Sequence, residues 1–222
     1  MIIKMKKIFL SMLVLASLTQ ASYAQNDKDA KAKAILAEVS KKYRGYAAVK
    51  SDFTLTVYSP QAKVNQVEKG TLYANASTNK YKMVMGDREL ISDGKNQWSY
   101  SKEDKEVQLT AVDKSSDAVN PAQLFTLYEK GYKYLFTGES KVGTKVYQNV
   151  ELSPTDAKSL YFKIKLSIDK IARQISSIAV LEKTGNRFTY AIKTFTPNVK
   201  VPETIFSFEA KKYPGVEVVD LR

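Results

Sequence analysis

The sequence predicts a mainly β fold of the α+β class, an antiparallel meander that is closed or nearly closed on itself. Apolar and polar residues alternate with a period of two over most of the chain after Lys50. Gly, Pro, Asn and Asp recur between these runs, where turns are needed. Helical periodicity is confined to one segment before the strands and one between them. One apolar face of the sheet would therefore enclose the core.

Residues 1–24 have the features of a cleavable signal peptide. Lys4, Lys6 and Lys7 precede the apolar run Ile8–Leu18, and small residues lie near position 24. The run is shorter than the roughly 20 apolar residues that span a bilayer. We therefore predict export and one mature domain over residues 25–222, since no Gly/Ser/Pro-rich linker divides that region.

The first mature element is predicted to be a helix. Its apolar positions recur at spacings of three and four: Ile35, Leu36, Val39, Tyr43 and Tyr46. Asn26 or Asp27 is a candidate N-cap, and Gly45 lies near the expected end. Outside the hairpin described next, the predicted strands are Lys50–Tyr58, Gly70–Ala74, Tyr81–Met85, Glu106–Val112, Tyr132–Thr137, Val146–Leu152, Leu160–Ile168, Gln174–Leu181, Arg187–Phe195, Ile205–Glu209 and Val216–Asp220.

A hairpin is predicted at Asp93-Gly94, between two strand-like runs. Both residue types tolerate the positive φ that a tight primed turn requires. After the turn, Trp98 and Tyr100 share one parity, while Gln97 and Ser99 take the other. The strand therefore has an aromatic face and a polar face, and we place the aromatic face inside.

A second helical segment is predicted between strands. Asn120-Pro121 offers an N-cap followed by proline at the first helical position, and Gly131 is a candidate C-terminal cap. Its apolar stripe consists of Leu124, Phe125, Leu127 and Tyr128. A short amphipathic helix inserted between strands is a candidate lid or plug.

The composition argues against catalysis and against nucleic-acid binding. The absence of histidine and cysteine removes the Ser-His-Asp and Cys-His arrangements, disulfides, and the ligands of most zinc sites. The formal charge is +12, or +9 without the three lysines of residues 1–24, but the lysines are scattered. We predict no enzymatic activity, no cofactor and no metal. The surplus charge favours transient contact with a membrane surface or acidic partners, with scattered solvated lysine as the alternative.

The strand positions predicted to face inward carry more bulky apolar side chains than are needed to fill one layer of a core. Methionine adapts to irregular apolar ligands, and Trp and Tyr tolerate a wet rim. The pattern alone leaves both a filled core and a ligand cavity open. The candidate cavity residues are Phe53, Leu55, Leu72, Tyr81, Met83, Met85, Trp98, Tyr100, Phe162, Ile164, Leu166, Phe188, Tyr190, Phe206 and Phe208.

Short motifs follow one another in a fixed order along the chain. They are Val49-Lys50-Ser51-Asp52-Phe53, Gly70-Thr71-Leu72-Tyr73, Ser92-Asp93-Gly94-Lys95 with Trp98-Ser99-Tyr100, Asn120-Pro121-Ala122-Gln123-Leu124-Phe125, Glu151-Leu152-Ser153-Pro154, Phe206-Ser207-Phe208 and Pro214-Gly215-Val216. The hairpin with its tryptophan is the most specific of them. In this order the motifs resemble the LolA-like family of periplasmic outer-membrane lipoprotein carriers.

The resemblance implies an incomplete antiparallel β-barrel, or half-barrel, with a helical lid over its concave face. A monomer in the periplasm would take the acyl chains of lipoproteins from an inner-membrane lipoprotein-releasing ABC transporter to an acceptor at the outer membrane. The candidate lid residues are Ile35, Leu36, Val39, Leu124, Phe125, Leu127 and Tyr128. In the best-studied branch an arginine after the Gly-x-Leu strand holds the lid closed, and Asn75–Lys80 contains none. A sensor of mislocalised lipoproteins and a binder of another lipid or hydrophobic ligand are the alternatives.

Overall fold

One helix and one large sheet account for most of the structure. The computed structural model describes residues 27–75, 77–112, 128 and 130–222, and a helix, α1, covers residues 27–44. The strands are β1 (Val49–Ser59), β2 (Val64–Asn75), β3 (Lys80–Met85), β4 (Arg88–Ser92), β5 (Asn96–Ser101), β6 (Glu106–Ala111), β7 (Tyr132–Val142), β8 (Lys145–Pro154), β9 (Tyr161–Asp169), β10 (Gln174–Glu182), β11 (Arg187–Pro197) and β12 (Glu217–Asp220). Two 3₁₀ helices, Glu203–Phe206 and Ala210–Lys212, precede β12.

The twelve described strands form a single open sheet. Their order is β12-β6-β5-β4-β3-β2-β1-β11-β10-β9-β8-β7. Every neighbouring pair is antiparallel except β12 and β6, which run parallel. The mainly β half-barrel class is therefore confirmed, but the sheet does not close, because β12 and β7 remain its two edges.

Helix α1 packs against one face of the sheet, which we call the inner face; the opposite face is the outer face. The apolar stripe predicted for α1 is buried there, and Val39 is fully inaccessible. The helix ends before Gly45, as expected. Tyr46 lies beyond the helix, yet its ring still contacts Tyr43 edge-on at 6.0 Å.

A glycine leaves space for a large ring on the inner face. Gly70 of β2 is the direct cross-strand partner of Phe53 on β1. A Cβ atom at position 70 would come within 2.5 Å of the Phe53 ring and 2.8 Å of Met85. Gly70 therefore leaves the room that the Phe53 ring occupies.

The C-terminal segment, residues 203–216, covers part of the outer face. Phe206 is 2% exposed, and the 3₁₀ helix that contains it contacts β3 and β4. The prediction of a strand at Ile205–Glu209 is wrong, because this segment crosses the sheet instead of pairing with it. An ion pair of 2.6 Å between Lys80 and Glu203 fixes its start.

The hairpin between β4 and β5 forms around the predicted dipeptide, but with different turn chemistry. Of the two residues of the dipeptide, Asp93 and Gly94, only Gly94 has a positive φ, at +89°. The Asp93 carboxylate instead accepts hydrogen bonds from the amides of Lys95 (2.8 Å) and Asn96 (2.7 Å). Burial raises the pKa of Asp93, but these donors outweigh it and the pKa is lowered overall. A charged Asx-type turn therefore replaces the primed turn.

Some predictions concern residues outside the described ranges. The predicted signal peptide, residues 1–24, lies outside the described residues, and so do Leu124, Phe125 and Leu127 of the second predicted helix. Within the described part, no helix combines the length and the apolar character needed to span a membrane.

Candidate functional site

Ten of the predicted cavity residues share the inner face and one apolar cluster. They are Phe53, Leu55, Leu72, Tyr81, Met83, Met85, Ile164, Leu166, Phe188 and Tyr190. The candidate lid residues Ile35, Leu36, Val39 and Tyr128 belong to the same cluster. Because α1 lies on this face, much of the surface predicted as cavity is packed core in this conformation. Contact of these residues with a lipid stays a prediction.

Trp98 and Tyr100 lie on the outer face, so their predicted inward orientation is wrong. Residues directly paired across strands share a face of the sheet. Trp98 pairs with Ile91, and Ile91 pairs with Lys82, whose neighbours along β3 face inward. Gln97 takes the inner position instead and accepts a 2.6 Å hydrogen bond from the Tyr81 hydroxyl.

Phe206 and Phe208 also lie outside the inner cluster, contrary to prediction. Phe208 stacks on Tyr213 with ring centroids 4.6 Å apart, and Tyr213 meets Tyr100 at 4.7 Å. The Tyr213 hydroxyl donates to Glu89 at 2.6 Å. Burial and this hydrogen bond raise the pKa of Tyr213. Tyr100 of β5 therefore helps to anchor the C-terminal segment.

Phe162 is the fifth predicted cavity residue that the structure places elsewhere. Its side chain is 47% exposed. The register between β9 and β10 shifts between the pairs Lys163–Leu181 and Tyr161–Glu182, which leaves Phe162 as an extra residue. The bulge turns Tyr161 onto the apolar cluster in place of Phe162.

Several inner-face residues were missed by the sequence prediction. Tyr132, Tyr134 and Phe136 of β7 pack against the apolar cluster. The hydroxyls of Tyr132 and Tyr161 lie 2.7 Å apart. The alternation within the predicted strand Tyr132–Thr137 was a signal that could have identified the three β7 residues.

A pocket of about 750 Å³ lies beside α1, on the flank next to its buried stripe. This volume is within the roughly 300–1,000 Å³ of small-molecule sites. The described lining residues are Lys33, Leu36, Ala37, Ser40, Lys41, Arg44, Gly45, Tyr128 and Tyr134. The Tyr134 hydroxyl donates to the Tyr128 carbonyl at 2.9 Å, which fixes the two tyrosines relative to each other. Most of these positions were missed because they flank the apolar stripe.

The carboxylates of Asp52 and Glu89 are engaged in structural contacts. Hydrogen bonds from Thr194 and Thr71 lower the pKa of Asp52. Glu89 pairs with Lys82 at 2.7 Å. Within the described ranges, no group of three or more His, Cys, Asp or Glu side chains is placed to hold a metal ion.

An open half-barrel with a helix on its inner face and a largely apolar pocket beside that helix defines a class of proteins that hold hydrophobic ligands. Residues 44–209 match the family described as outer membrane lipoprotein carrier protein LolA. The chain belongs to this LolA family. No curated protein sequence matched the chain significantly.

Solved structures share the fold at low sequence identity. An uncharacterized conserved protein from Thermus thermophilus is 11% identical, with a TM-score of 0.55, covering 83% of this chain and 96% of its own. A putative outer membrane lipoprotein-sorting protein domain from Vibrio parahaemolyticus is 13% identical, with a TM-score of 0.50 and coverages of 80% and 97%. A DUF1329 family protein from Desulfovibrio piger is 11% identical, with a TM-score of 0.50 and coverages of 84% and 99%. These similarities concern the fold.

Proposed function

We propose that this protein is a periplasmic carrier that holds the acyl chains of lipoproteins and moves them from the inner membrane to the outer membrane. The observation that carries the proposal is the pocket between α1 and Tyr128/Tyr134, in a chain that belongs to the lipoprotein carrier family. The protein binds and releases its cargo and catalyses no reaction. Its partners are acylated lipoproteins, a releasing ABC transporter and an outer-membrane acceptor.

Desolvation of the acyl chains supplies the driving force. Each buried methylene contributes about 0.8 kcal/mol, before the costs of ordering the chain and opening the site are subtracted. Leu36, Ala37 and the rings of Tyr128 and Tyr134 offer the apolar surface that such a chain requires. A carrier must also release its cargo, so we expect moderate affinity.

A bulky residue on the pocket side of α1 tests the location of the site. Ala37 lines the pocket and is exposed, so Ala37→Trp fills the space without disturbing the buried stripe. We expect binding of palmitate, measured by displacement of the neutral dye N-phenyl-1-naphthylamine, to weaken about tenfold or more, which corresponds to roughly 1.4 kcal/mol. Ala34→Trp is the matched control, because Ala34 is exposed on the same helix and does not line the pocket.

Equal affinities for the Ala37→Trp and Ala34→Trp variants would place the acyl site elsewhere. The cargo is tested by mass spectrometry of the lipids and lipopeptides that copurify from the native host. Recovery of lipoproteins, and their release from inner-membrane vesicles on addition of the protein, supports the carrier function. Recovery of another lipid alone would favour a general lipid binder of the same fold.

A further inference from the structure

Two neighbouring turns at one end of the sheet each present an exposed aliphatic side chain. Ile171, in the turn between β9 and β10, is 88% exposed, the highest value for a large apolar side chain among the described residues. Val142, where β7 ends, is 67% exposed. The Lys170 amide donates to the Val146 carbonyl at 3.0 Å, so the β9–β10 turn lies directly against the start of β8. We call residues 141–145 and 169–173 the two-turn surface.

Hydrogen bonds within the β9–β10 turn hold Ile171 in place. The Asp169 carboxylate accepts hydrogen bonds from the amides of Ile171 (3.1 Å) and Ala172 (2.9 Å). The Asp169 carbonyl accepts a further hydrogen bond from the Arg173 amide at 2.7 Å, which closes the turn. Single exposed apolar residues are common on protein surfaces, so a binding role depends on what surrounds Ile171 and Val142.

Basic side chains surround the two aliphatic ones. The cationic residues of the two-turn surface are Lys141, Lys145, Lys170 and Arg173. The sequence of these two turns includes one carboxylate, that of Asp169. Lys42 of α1 adds a fifth cation at this end of the sheet, because its ammonium group donates to the Ala172 carbonyl.

Three of the five cations form ion pairs with carboxylates. Lys145 lies 3.1 Å from Asp169, and Lys170 lies 3.0 Å from Glu139. Arg173 pairs with Glu38 of α1. Five cations and three carboxylates leave a net charge of +2, so the surface attracts anions even with every pair formed. Such surface ion pairs are weak, and their exposed cations exchange partners readily.

Two aliphatic side chains within a basic rim fit an anionic lipid surface better than a protein partner. A specific protein interface buries more than about 1,000 Å² around a core rich in aromatic residues. The apolar part of the two-turn surface is two side chains separated by two strand spacings, about 10 Å. A lipid surface requires no larger patch, because aliphatic side chains enter between head groups while lysines stay level with the phosphates.

We propose that the two-turn surface docks this protein on anionic lipid membranes, with Ile171 and Val142 inserted among the head groups. The surface is attached to the wall of the pocket, because Lys42 bonds to the β9–β10 turn and its neighbour Lys41 lines the pocket. Docking therefore brings the C-terminal end of α1 towards the bilayer that supplies or receives an acyl chain. This use of the contact rests on the proposed function, whereas the contact itself is tested separately.

Vesicle binding tests the docking surface with two matched variants. Val142→Ser combined with Ile171→Ser removes both aliphatic side chains. Val67→Ser combined with Leu160→Ser is the control, because these side chains are 66% and 65% exposed and lie towards the opposite end of the sheet. Cosedimentation with vesicles of phosphatidylcholine and phosphatidylglycerol measures the affinity at low salt. We expect binding about tenfold weaker for the first variant and unchanged binding for the control.

The charge of the membrane is varied in the same assay. Vesicles of phosphatidylcholine alone should bind the wild-type protein more weakly, and 0.5 M salt should weaken binding to the anionic vesicles. Lys141→Gln removes one cation beside Val142 and should weaken binding to anionic vesicles about fivefold at low salt.

A tryptophan in the β9–β10 turn gives a local readout of insertion. In a Trp98→Phe background, the emission of the Ile171→Trp variant should move to shorter wavelength on anionic vesicles. Brominated lipid should quench that emission. Val67→Trp in the same background is the control and should show neither effect.

Absence of vesicle binding by the wild-type protein would overturn the inference. Full binding by the variant with Val142→Ser and Ile171→Ser would also overturn it, since it would indicate adsorption by charge alone. Palmitate binding, measured by displacement of the same neutral dye, tests the proposed function independently. Palmitate binding without vesicle binding would leave that function standing, and vesicle binding without palmitate binding would leave only the docking surface.

Discussion

Gly94 stands where the β4–β5 turn meets the loop between β2 and β3. Its φ is +89°, and a Cβ atom there would come within 2.5 Å of the Thr78 carbonyl oxygen. The obstacle is backbone, which cannot rotate away as a flexible side chain can. Gly94 is therefore constrained both by its conformation and by the close approach of a second loop.

The first prediction concerns this glycine. Gly94→Ala should lower the free energy of unfolding by about 2–5 kcal/mol, from left-handed strain of about 1–2 kcal/mol and overpacking of about 1–3 kcal/mol. Gly143→Ala is the matched control, because its φ is +59° but nothing lies within 4 Å of the added Cβ. Urea unfolding measures both variants. Equal losses would show that Thr78 moves aside without cost.

The C-terminal segment is the element that explains why Trp98 and Tyr100 were assigned to the wrong face of the sheet. Alternation correctly indicates that Trp98 and Tyr100 share a face, but a strand with apolar residues on one side does not show which side is inner. Phe208 and Tyr213 give the outer face its own aromatic cover. Gln97 is accepted on the inner face because it bonds to Tyr81. Which face of the sheet Trp98 and Tyr100 occupy therefore depends on how residues 203–216 pack against the sheet.

Other elements show where local pattern is sufficient. The apolar stripe of α1 and the alternation of β3 and β11 predict which residues face the core, because these elements are covered on one side by a single core. Phe162 was assigned to the wrong face because a bulge adds one residue to β9. The periodicity of one strand does not show where its register with a neighbouring strand shifts. The pocket was missed because its lining combines a helix flank with residues far away in sequence.

The second prediction uses Trp98, the only tryptophan, as a reporter of the outer face. Addition of palmitate should leave its emission maximum unchanged, because the proposed acyl site lies on the opposite side of the sheet. Phe208→Ala removes the ring stacked on Tyr213 and should shift the emission to longer wavelength as the segment loosens. Phe162→Ala, on β9, is the control. A shift caused by palmitate in the wild-type protein would contradict the assigned orientation.

At the scale of the whole molecule, buried and half-buried tyrosines join α1 to both halves of the sheet. Tyr43 of α1, Tyr81 of β3 and Tyr190 of β11 belong to the same cluster. Burial raises the pKa of each, and that of Tyr81 reaches about 12. A phenol with a higher pKa in the folded protein contributes stability that is complete below about pH 10 and is lost as the pH rises through the folded value.

The last prediction follows from this shift. As the pH rises from 9 to 11, the unfolded chain ionises its tyrosines first, so the free energy of unfolding should fall, with Tyr81 alone responsible for about 1 kcal/mol by pH 11. Tyr81→Phe should be less stable at pH 8, by about 0.5–1.5 kcal/mol, because it loses the hydrogen bond to Gln97. It should nevertheless show a shallower decline towards pH 11.

Urea unfolding at several pH values separates the two effects, since the pH slope is independent of the offset at pH 8. Tyr58→Phe is the control, because the Tyr58 ring is 43% exposed and its removal disturbs no buried phenol. Lysine deprotonation in the same range affects both variants alike and cancels in the comparison. A slope for Tyr81→Phe that equals that of Tyr58→Phe would mean that Tyr81 ionises as readily in the folded protein as in the unfolded chain, against the burial found for it between β3 and the inner core.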